Sequence, residues 1–234
     1  VRRHAETTDA LRLPIEGEKQ TLELDGDTYA VHWLARETFD REDWVMRWFA
    51  EGDSEVSVRD GKLWIRGTVP EAKNVATVWY RPELPQNAIV RFRASAVERD
   101  WDNAANLNLF LHAREDDGSP VRFGRGGNYP EYHSFPNYIV TFVGGVRPGW
   151  SRVRRNPGFE MLAEADVRAD VGAEYEITVT IADGRLRYYL NGERIHDVQD
   201  PGPLPGGRFG IRTWNTDGWW DTIEFGEIVS AAGE

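Results

Sequence analysis

Tyr175-Glu-Ile-Thr-Val-Thr-Ile-Ala-Asp-Gly-Arg-Leu-Arg-Tyr-Tyr-Leu-Asn-Gly192 decides the fold class. Ile177, Val179 and Ile181 alternate with Glu176, Thr178 and Thr180, the period of two that belongs to a half-buried strand, and Arg185 to Leu190 repeats the length and character of that run. Asp183-Gly184 and Asn191-Gly192 punctuate the runs. Both residues of such a pair tolerate the positive φ of a two-residue hairpin turn, so the stretch predicts consecutive antiparallel strands. Asp60-Gly61 does the same between Val58 and Lys62.

Working outward, period-two segments recur at Thr28 to Ala35, Glu55 to Val58, Lys62 to Arg66, Val75 to Tyr80, Ala88 to Ala96, Asn106 to Ala113 and Asn137 to Val143. Phe159 to Ala163, Arg208 to Trp214 and Trp219 to Ile228 continue the series. No segment carries three turns of helical pattern, and only Thr38 to Asp43 reads as a short capped turn. About a dozen strands of roughly 5–7 residues predict an all-β, single-domain chain of two packed antiparallel sheets. The sandwich is expected over residues 26–234, with 1–25 as an N-terminal arm or an added strand.

Composition narrows the function. Across 234 residues, 28 Lys+Arg against 39 Asp+Glu leave a net charge of −11, which opposes nucleic acid and anionic membrane surfaces as partners. No apolar stretch approaches the roughly 18 residues of a membrane span. The absence of Cys excludes disulfides, zinc–thiolate sites and thiol nucleophiles, and a soluble chain of this kind suits the cytoplasm, the periplasm or secretion equally. Neither compartment nor oligomeric state is written in the sequence. Ten Trp, as many as Phe, suit sugar rings as well as cores.

Alternation assigns faces. Leu107, Leu109 and Leu111 share a buried side, which turns Asn106, Asn108 and His112 to the other; Phe209 and Ile211 likewise oppose Arg212 and Trp214. These outward residues are expected to line a polar, saccharide-binding cleft. The densest chemistry lies in Gly124-Arg-Gly-Gly-Asn-Tyr-Pro-Glu-Tyr-His-Ser-Phe-Pro-Asn137, read as a loop on a rigid scaffold. Its plain structural reading is a crossing loop packed on the sheet edge. Its functional reading takes His133 or Tyr132 as base and the other as acid, with Arg125 or Arg155 neutralising a uronate carboxylate. Glycoside hydrolysis would instead need two carboxylates, with Glu131 and either Asp217 or Asp221 as the first pair to measure. Tyr129, Trp214 and Trp219 are candidate sugar platforms, Trp220 a core residue. Gly149 to Phe159 reads as an Arg-rich loop whose Arg152, Arg154 and Arg155 suit an acidic sugar. No metal site or cofactor is expected; Asp100 to Asn103 and Glu115 to Gly118 leave room for a structural Ca²⁺, with solvated turns the favoured reading.

The run Tyr129-Pro-Glu-Tyr-His-Ser134, followed by a strand and Arg154-Arg-Asn-Pro-Gly-Phe159, resembles the YesU-like family of bacterial proteins of undefined activity. Tyr188-Tyr-Leu-Asn-Gly192, Gly206-Gly-Arg-Phe-Gly-Ile211 and Asp221-Thr-Ile-Glu-Phe225 are similar to the wider group of laminin-G-like and 3-keto-glycoside hydrolase jelly rolls. The resemblance implies a concanavalin-like or galectin-like jelly roll and a setting of pectic rhamnogalacturonan breakdown, and it assigns no catalytic residue. Three readings follow: a lyase or hydrolase on an acidic or plant-derived oligo- or polysaccharide; a non-catalytic carbohydrate-binding module with the same cleft; or an interaction module whose Trp residues fill the core.

Overall fold

The computed structural model describes residues 16–232. Two antiparallel sheets pack into one domain. In spatial order, one sheet comprises β1 (Lys19–Leu24), β2 (Asp27–Glu37), β16 (Gly218–Ala232), β7 (Ala88–Ala96), β12 (Glu174–Ala182), β13 (Arg185–Leu190) and β14 (Glu193–Gln199). The hairpin of β4 (Glu55–Arg59) and β5 (Lys62–Arg66) joins it through β16. The other sheet runs β11 (Glu160–Ala165), β10 (Trp150–Asn156), β9 (Asn137–Val143), β8 (Asn108–Ala113), β15 (Gly207–Trp214), β6 (Val75–Leu84) and β3 (Trp48–Gly52). One helical turn, α1 (Trp44–Arg47), follows the expected capped turn.

The hairpins take the predicted form. Asp183-Gly184 and Asn191-Gly192 hold positive φ at both residues, which closes Ala182 on Arg185 and Leu190 on Glu193 and so sets the register of β12–β13–β14. Leu109, Leu111, Val140, Phe142, Phe209 and Ile211 of one sheet meet Val90, Phe92, Ile177, Val179 and Phe225 of the other in the main core. A separate apolar cluster of Trp79, Phe110, Tyr132, Phe135 and Ile139 lies on the outer face of the seven-stranded sheet, beneath the 124–137 segment.

Three features of the structure, set beside the sequence reading, bear on the fold and the site. Gly149 to Phe159 is not a loop: it contains β10, whose alternation of Trp150, Arg152 and Arg154 against Ser151 and Val153 is masked because Arg occupies sheet-face positions where its apolar stem packs. The N-terminal segment contributes β1, paired with β2, while the rest of the expected arm, residues 1–15, lies outside the described residues. The alternation of β8 fails at its end. Gly210 faces Phe110 and Arg208 faces Ala113, so two residues of β8, Leu111 and His112, oppose the single Phe209 of β15, and His112 takes φ 50 at this bulge.

Candidate functional site

Strand register places three rows of side chains across the outer face of the seven-stranded sheet. In the central row Arg152 pairs with Thr141, Asn108 with Arg212, and Arg212 with Thr77. One flanking row carries Trp150 beside Val143 and Trp214 beside Val75. The other carries Arg154 beside Ile139, Phe110, Gly210 and Trp79. Gly210 belongs there because a Cβ would sit 2.7 Å from the Trp79 ring.

The 124–137 segment covers this last row and turns its edge toward the central one. Tyr132 is fully buried against Trp79 and Phe110 and donates its hydroxyl to Glu51 Oε2 at 2.7 Å. The same carboxylate accepts Trp79 Nε1–H at 3.0 Å, Gly124 N–H at 2.7 Å and Arg125 N–H at 3.1 Å, which clamps the segment to β3 and β6. Gly127, at φ +79, packs on the Gly52 Cα, an approach closed to any larger residue. Asn137 Nδ2 donates to the Tyr132 and Phe135 carbonyls, Asn156 Nδ2 donates to Asn137 Oδ1, and Phe159 N–H donates to Asn156 Oδ1. This chain of amides seats Phe159 against His133, ring on ring at 4.0 Å.

Between the covered row and the Trp row lies a cavity of about 760 Å³. Its lining includes Lys73, Arg147, Arg152, Arg154 and Arg212, the imidazole of His133, and the aromatic rings of Tyr129, Trp150, Phe159 and Trp214, and among the described residues it includes no Asp or Glu. Each Arg lies face-on against a ring: Arg212 on Tyr129 at 4.5 Å, Arg154 on Phe159 at 4.4 Å, Arg147 on Trp214 at 4.5 Å and Arg152 on Trp150 at 4.4 Å. Stacking engages the guanidinium face and leaves the N–H edge of Arg212, Arg154 and Arg147 for a planar anion, whereas Arg152 Nε donates to the Glu164 carboxylate.

The two floor cations are electrostatically exposed in a specific sense. Arg212 is 3% and Arg154 9% accessible, and among the described residues neither has a carboxylate within ion-pair distance. Burial pushes the Arg212 pKa down to about 10 and lowers that of Arg154. Burial, followed by the nearby Arg212 and Arg154 charges, pushes His133 down to about 4, so its imidazole is neutral near pH 7. Arg212 Nε, His133 Nε2, Asn106 Oδ1 and Thr141 Oγ1 are buried polar atoms without a hydrogen-bond partner. Four such atoms around one cavity form a set that a polar ligand would satisfy.

Of the residues singled out from the sequence, Asn106, Asn108, Tyr129, His133, Arg152, Arg154, Arg212 and Trp214 line this cavity together. The others do not. His112 is buried beside Tyr138 because the β8 bulge turns it away. Tyr132 belongs to the packed cluster beneath the segment, and burial raises its pKa well above the usual phenol value. Arg125 pairs with both oxygens of Glu115 and lies over Phe135. Glu131 accepts Gly126 N–H and the Asn128 amide, closing the segment on itself. Arg155 turns to Asp200, at 2.9 Å. Asp217 takes Arg99 and Gly67 N–H, and Trp219 lies in the other sheet under Lys62. Asp221 pairs with Arg93, and Trp220 is in the core. Sequence reasoning missed Lys73 and Arg147, which sit in turns with no periodic signal, and Thr141 and Phe159, whose roles depend on register.

Among the described residues no three His, Cys, Asp or Glu side chains gather as a metal-binding cluster, and Glu115 and Asp117 of one acidic loop pair with Arg125 and Arg122. No helix among them is long and apolar enough to cross a membrane. A Bacillus subtilis protein of unknown function with a galectin-like fold superposes with a TM-score of 0.71 at 23% identity, covering 86% of this chain and 97% of that one. The carbohydrate-binding module CBM66 from Bacillus subtilis follows at 0.54 and 12%, covering 76% and 93%. The Ca²⁺/Man-bound exoplasmic/lumenal domain of VIP36 gives 0.56 and 11%, covering 79% and 84%. These likenesses establish a galectin-like jelly-roll sandwich. No curated protein matches the chain. The family model DUF6250, a domain of unknown function, matches residues 71–218, a span that holds every cavity-lining residue and well over half the sequence, and the chain belongs to that family.

Proposed function

We propose that the cavity binds an anionic saccharide, with a uronate carboxylate seated on Arg212 and Arg154. The observation that carries this reading is a pair of buried guanidiniums, Arg212 and Arg154, with no carboxylate partner among the described residues, in a cavity whose other cations are Lys73, Arg147 and the Glu164-paired Arg152, in a chain of net charge −11. Aromatic planes and unpartnered amide and hydroxyl groups beside the cations supply the stacking surfaces and hydroxyl partners that a sugar uses. The carbohydrate-recognising neighbours of the same fold are in keeping with it, as is the pectic setting of the YesU-like resemblance.

A second, enzymatic reading draws on the neutral His133, whose buried Nε2 has no partner next to two guanidiniums. On a 4-linked uronate, Nε2 would take the proton at C5 while Arg212 and Arg154 stabilise the charge that develops on the carboxylate. The C4–O4 bond breaks as the C4=C5 double bond forms, and the leaving oxygen takes a proton from the Tyr129 hydroxyl. Hydrolysis by a carboxylate pair has less support, since Glu131, Asp217 and Asp221 are engaged elsewhere.

Calorimetric titration with galacturonate and glucuronate oligosaccharides, against neutral oligosaccharides of equal length, tests the binding reading. One charge-assisted contact corresponds to about tenfold or more in affinity, so acidic ligands should lead by at least that factor. Equal affinities would overturn it. Ultraviolet absorbance of an unsaturated uronate tests the elimination: product from the wild type and none from His133→Ala, with binding retained, supports it, and no product from any uronate glycan refutes it.

A further inference from the structure

The cations of the cavity form two groups. Arg212 and Arg154 make the floor. Two residues along β15, roughly 6–7 Å from Arg212 on the same face, Trp214 carries Arg147 on its ring at 4.5 Å. Arg147 stands on a turn fixed from several sides: Val146 N–H donates to the Asn103 carbonyl at 3.0 Å, Arg147 N–H to Gly144 at 2.8 Å, and the Arg147 carbonyl accepts Arg168 Nη1 at 2.8 Å. Lys73 lies across the same end of the cavity. Its backbone N–H donates to Asp53 Oδ2, and the next residue's carbonyl accepts Asn215 N–H, just past Trp214. Neither Arg147 nor Lys73 forms an ion pair among the described residues, and the Asn106 side chain, 6% accessible with Oδ1 unpartnered, lies in the Trp row with them.

Resting on the anionic-saccharide reading, we infer that the cavity has two anion-binding centres about one sugar ring apart, a floor centre at Arg212 and Arg154 and a rim centre at Arg147 and Lys73 flanking Trp214. Its ligand is therefore a saccharide with negative groups on neighbouring rings, and Asn106 takes a hydroxyl between them. A single acidic sugar in a neutral chain fills only the floor.

The test is calorimetric titration of the full chain with a monouronate, the contiguous di- and triuronates, an oligosaccharide alternating uronate with neutral sugar, and sulfated oligosaccharides of equal length. Contiguous diuronate should bind about tenfold or more tighter than monouronate, and in the Arg147→Ala/Lys73→Ala double variant that preference should fall to about one. The sulfated series separates carboxylate from sulfate ester as the natural anion; either one showing the adjacent-charge preference supports two centres. A preference that survives the double variant, or an alternating oligosaccharide bound as tightly as the contiguous one, overturns the inference while leaving the floor reading intact. Monouronate affinity insensitive to Arg212→Met, or no binding of any anion, overturns both.

Discussion

Replacing Arg212 by Met should make the protein more stable while removing its affinity for anions. Arg212 is 3% accessible, its Nε has no hydrogen-bond partner among the described residues, and burial moves its pKa from 12.5 to about 10. At about 1.4 kcal/mol per pKa unit, the charged form costs about 3 kcal/mol relative to the solvated side chain. The sign follows from protonation: the folded pKa lies below the unfolded one, so the full penalty is present at all pH values below about 10 and is relieved only as pH rises past it. The contact with the Tyr129 ring, about 0.5–2 kcal/mol, offsets part of it and is lost in the variant. Met fills similar space without a charge. A net gain of about 1–3 kcal/mol is expected, read as a higher urea midpoint by Trp fluorescence and as about 2–4 °C in Tm for each kcal/mol. An anionic saccharide should raise the Tm of the wild type and not that of the variant. A Met variant less stable than wild type by more than about 1 kcal/mol would refute the reasoning, because it would mean that Arg212 is compensated in the folded state.

Two further outcomes are expected. Tyr132→Phe removes one of four donors to Glu51 at a residue that does not itself line the cavity, so urea unfolding should show a loss of about 1–3 kcal/mol while calorimetry shows unchanged uronate affinity. His112 and His196 are held near pKa 4 by burial, below the unfolded value of 6.5, so the unfolded chain takes protons first and stability falls as pH drops from about 6.5 toward 4. Each contributes a slope of about 1.4 kcal/mol per pH unit; urea midpoints across that range should follow it, and a His112→Gln/His196→Gln double variant should reduce it to the share of His133, whose pKa is likewise pushed down to about 4.

Fold and site were legible to different depths. The Asp-Gly and Asn-Gly turns and the alternating Leu and Ile positions carry their structure locally, which is why β12, β13 and the inner face of β8 follow directly from sequence. Arg212, Trp214, Asn106 and Asn108 reached the cavity by the same period-two rule. His112 did not, because a bulge is set by pairing between β8 and β15 and leaves no mark on the β8 alternation alone. The 124–137 segment is the instructive failure. Its density of Arg, Glu, Tyr and His signals chemistry, yet most of it holds the segment shut: Tyr132 and the Gly124 and Arg125 N–H groups on Glu51, Arg125 on Glu115, Glu131 on Asn128. Asn128, Tyr129, Pro130 and His133 reach the cavity, and the partner that organises the rest, Glu51, lies some eighty residues away on β3 with nothing local to flag it.

Pairing, more than cation count, is what supports the proposed anionic ligand. Four Arg residues of the described chain are less than a tenth accessible: Arg91, Arg154, Arg187 and Arg212. Arg91 meets Glu224 at 2.7 Å and Arg187 meets Asp27 at 2.9 Å, the usual condition for keeping a guanidinium out of water. Arg154 and Arg212 have no such partner, although acidic residues outnumber basic ones in the sequence, and both face one cavity. The excess negative charge elsewhere does not cancel their field there. At physiological ionic strength it is screened over about 8 Å, whereas inside a cavity walled by Phe159, Tyr129 and the two Trp rings water screens poorly. On the proposed reading, a carboxylate entering this space would supply the counter-charge that the fold withholds, so the desolvation cost already met in folding would reappear as affinity and as discrimination against neutral sugars.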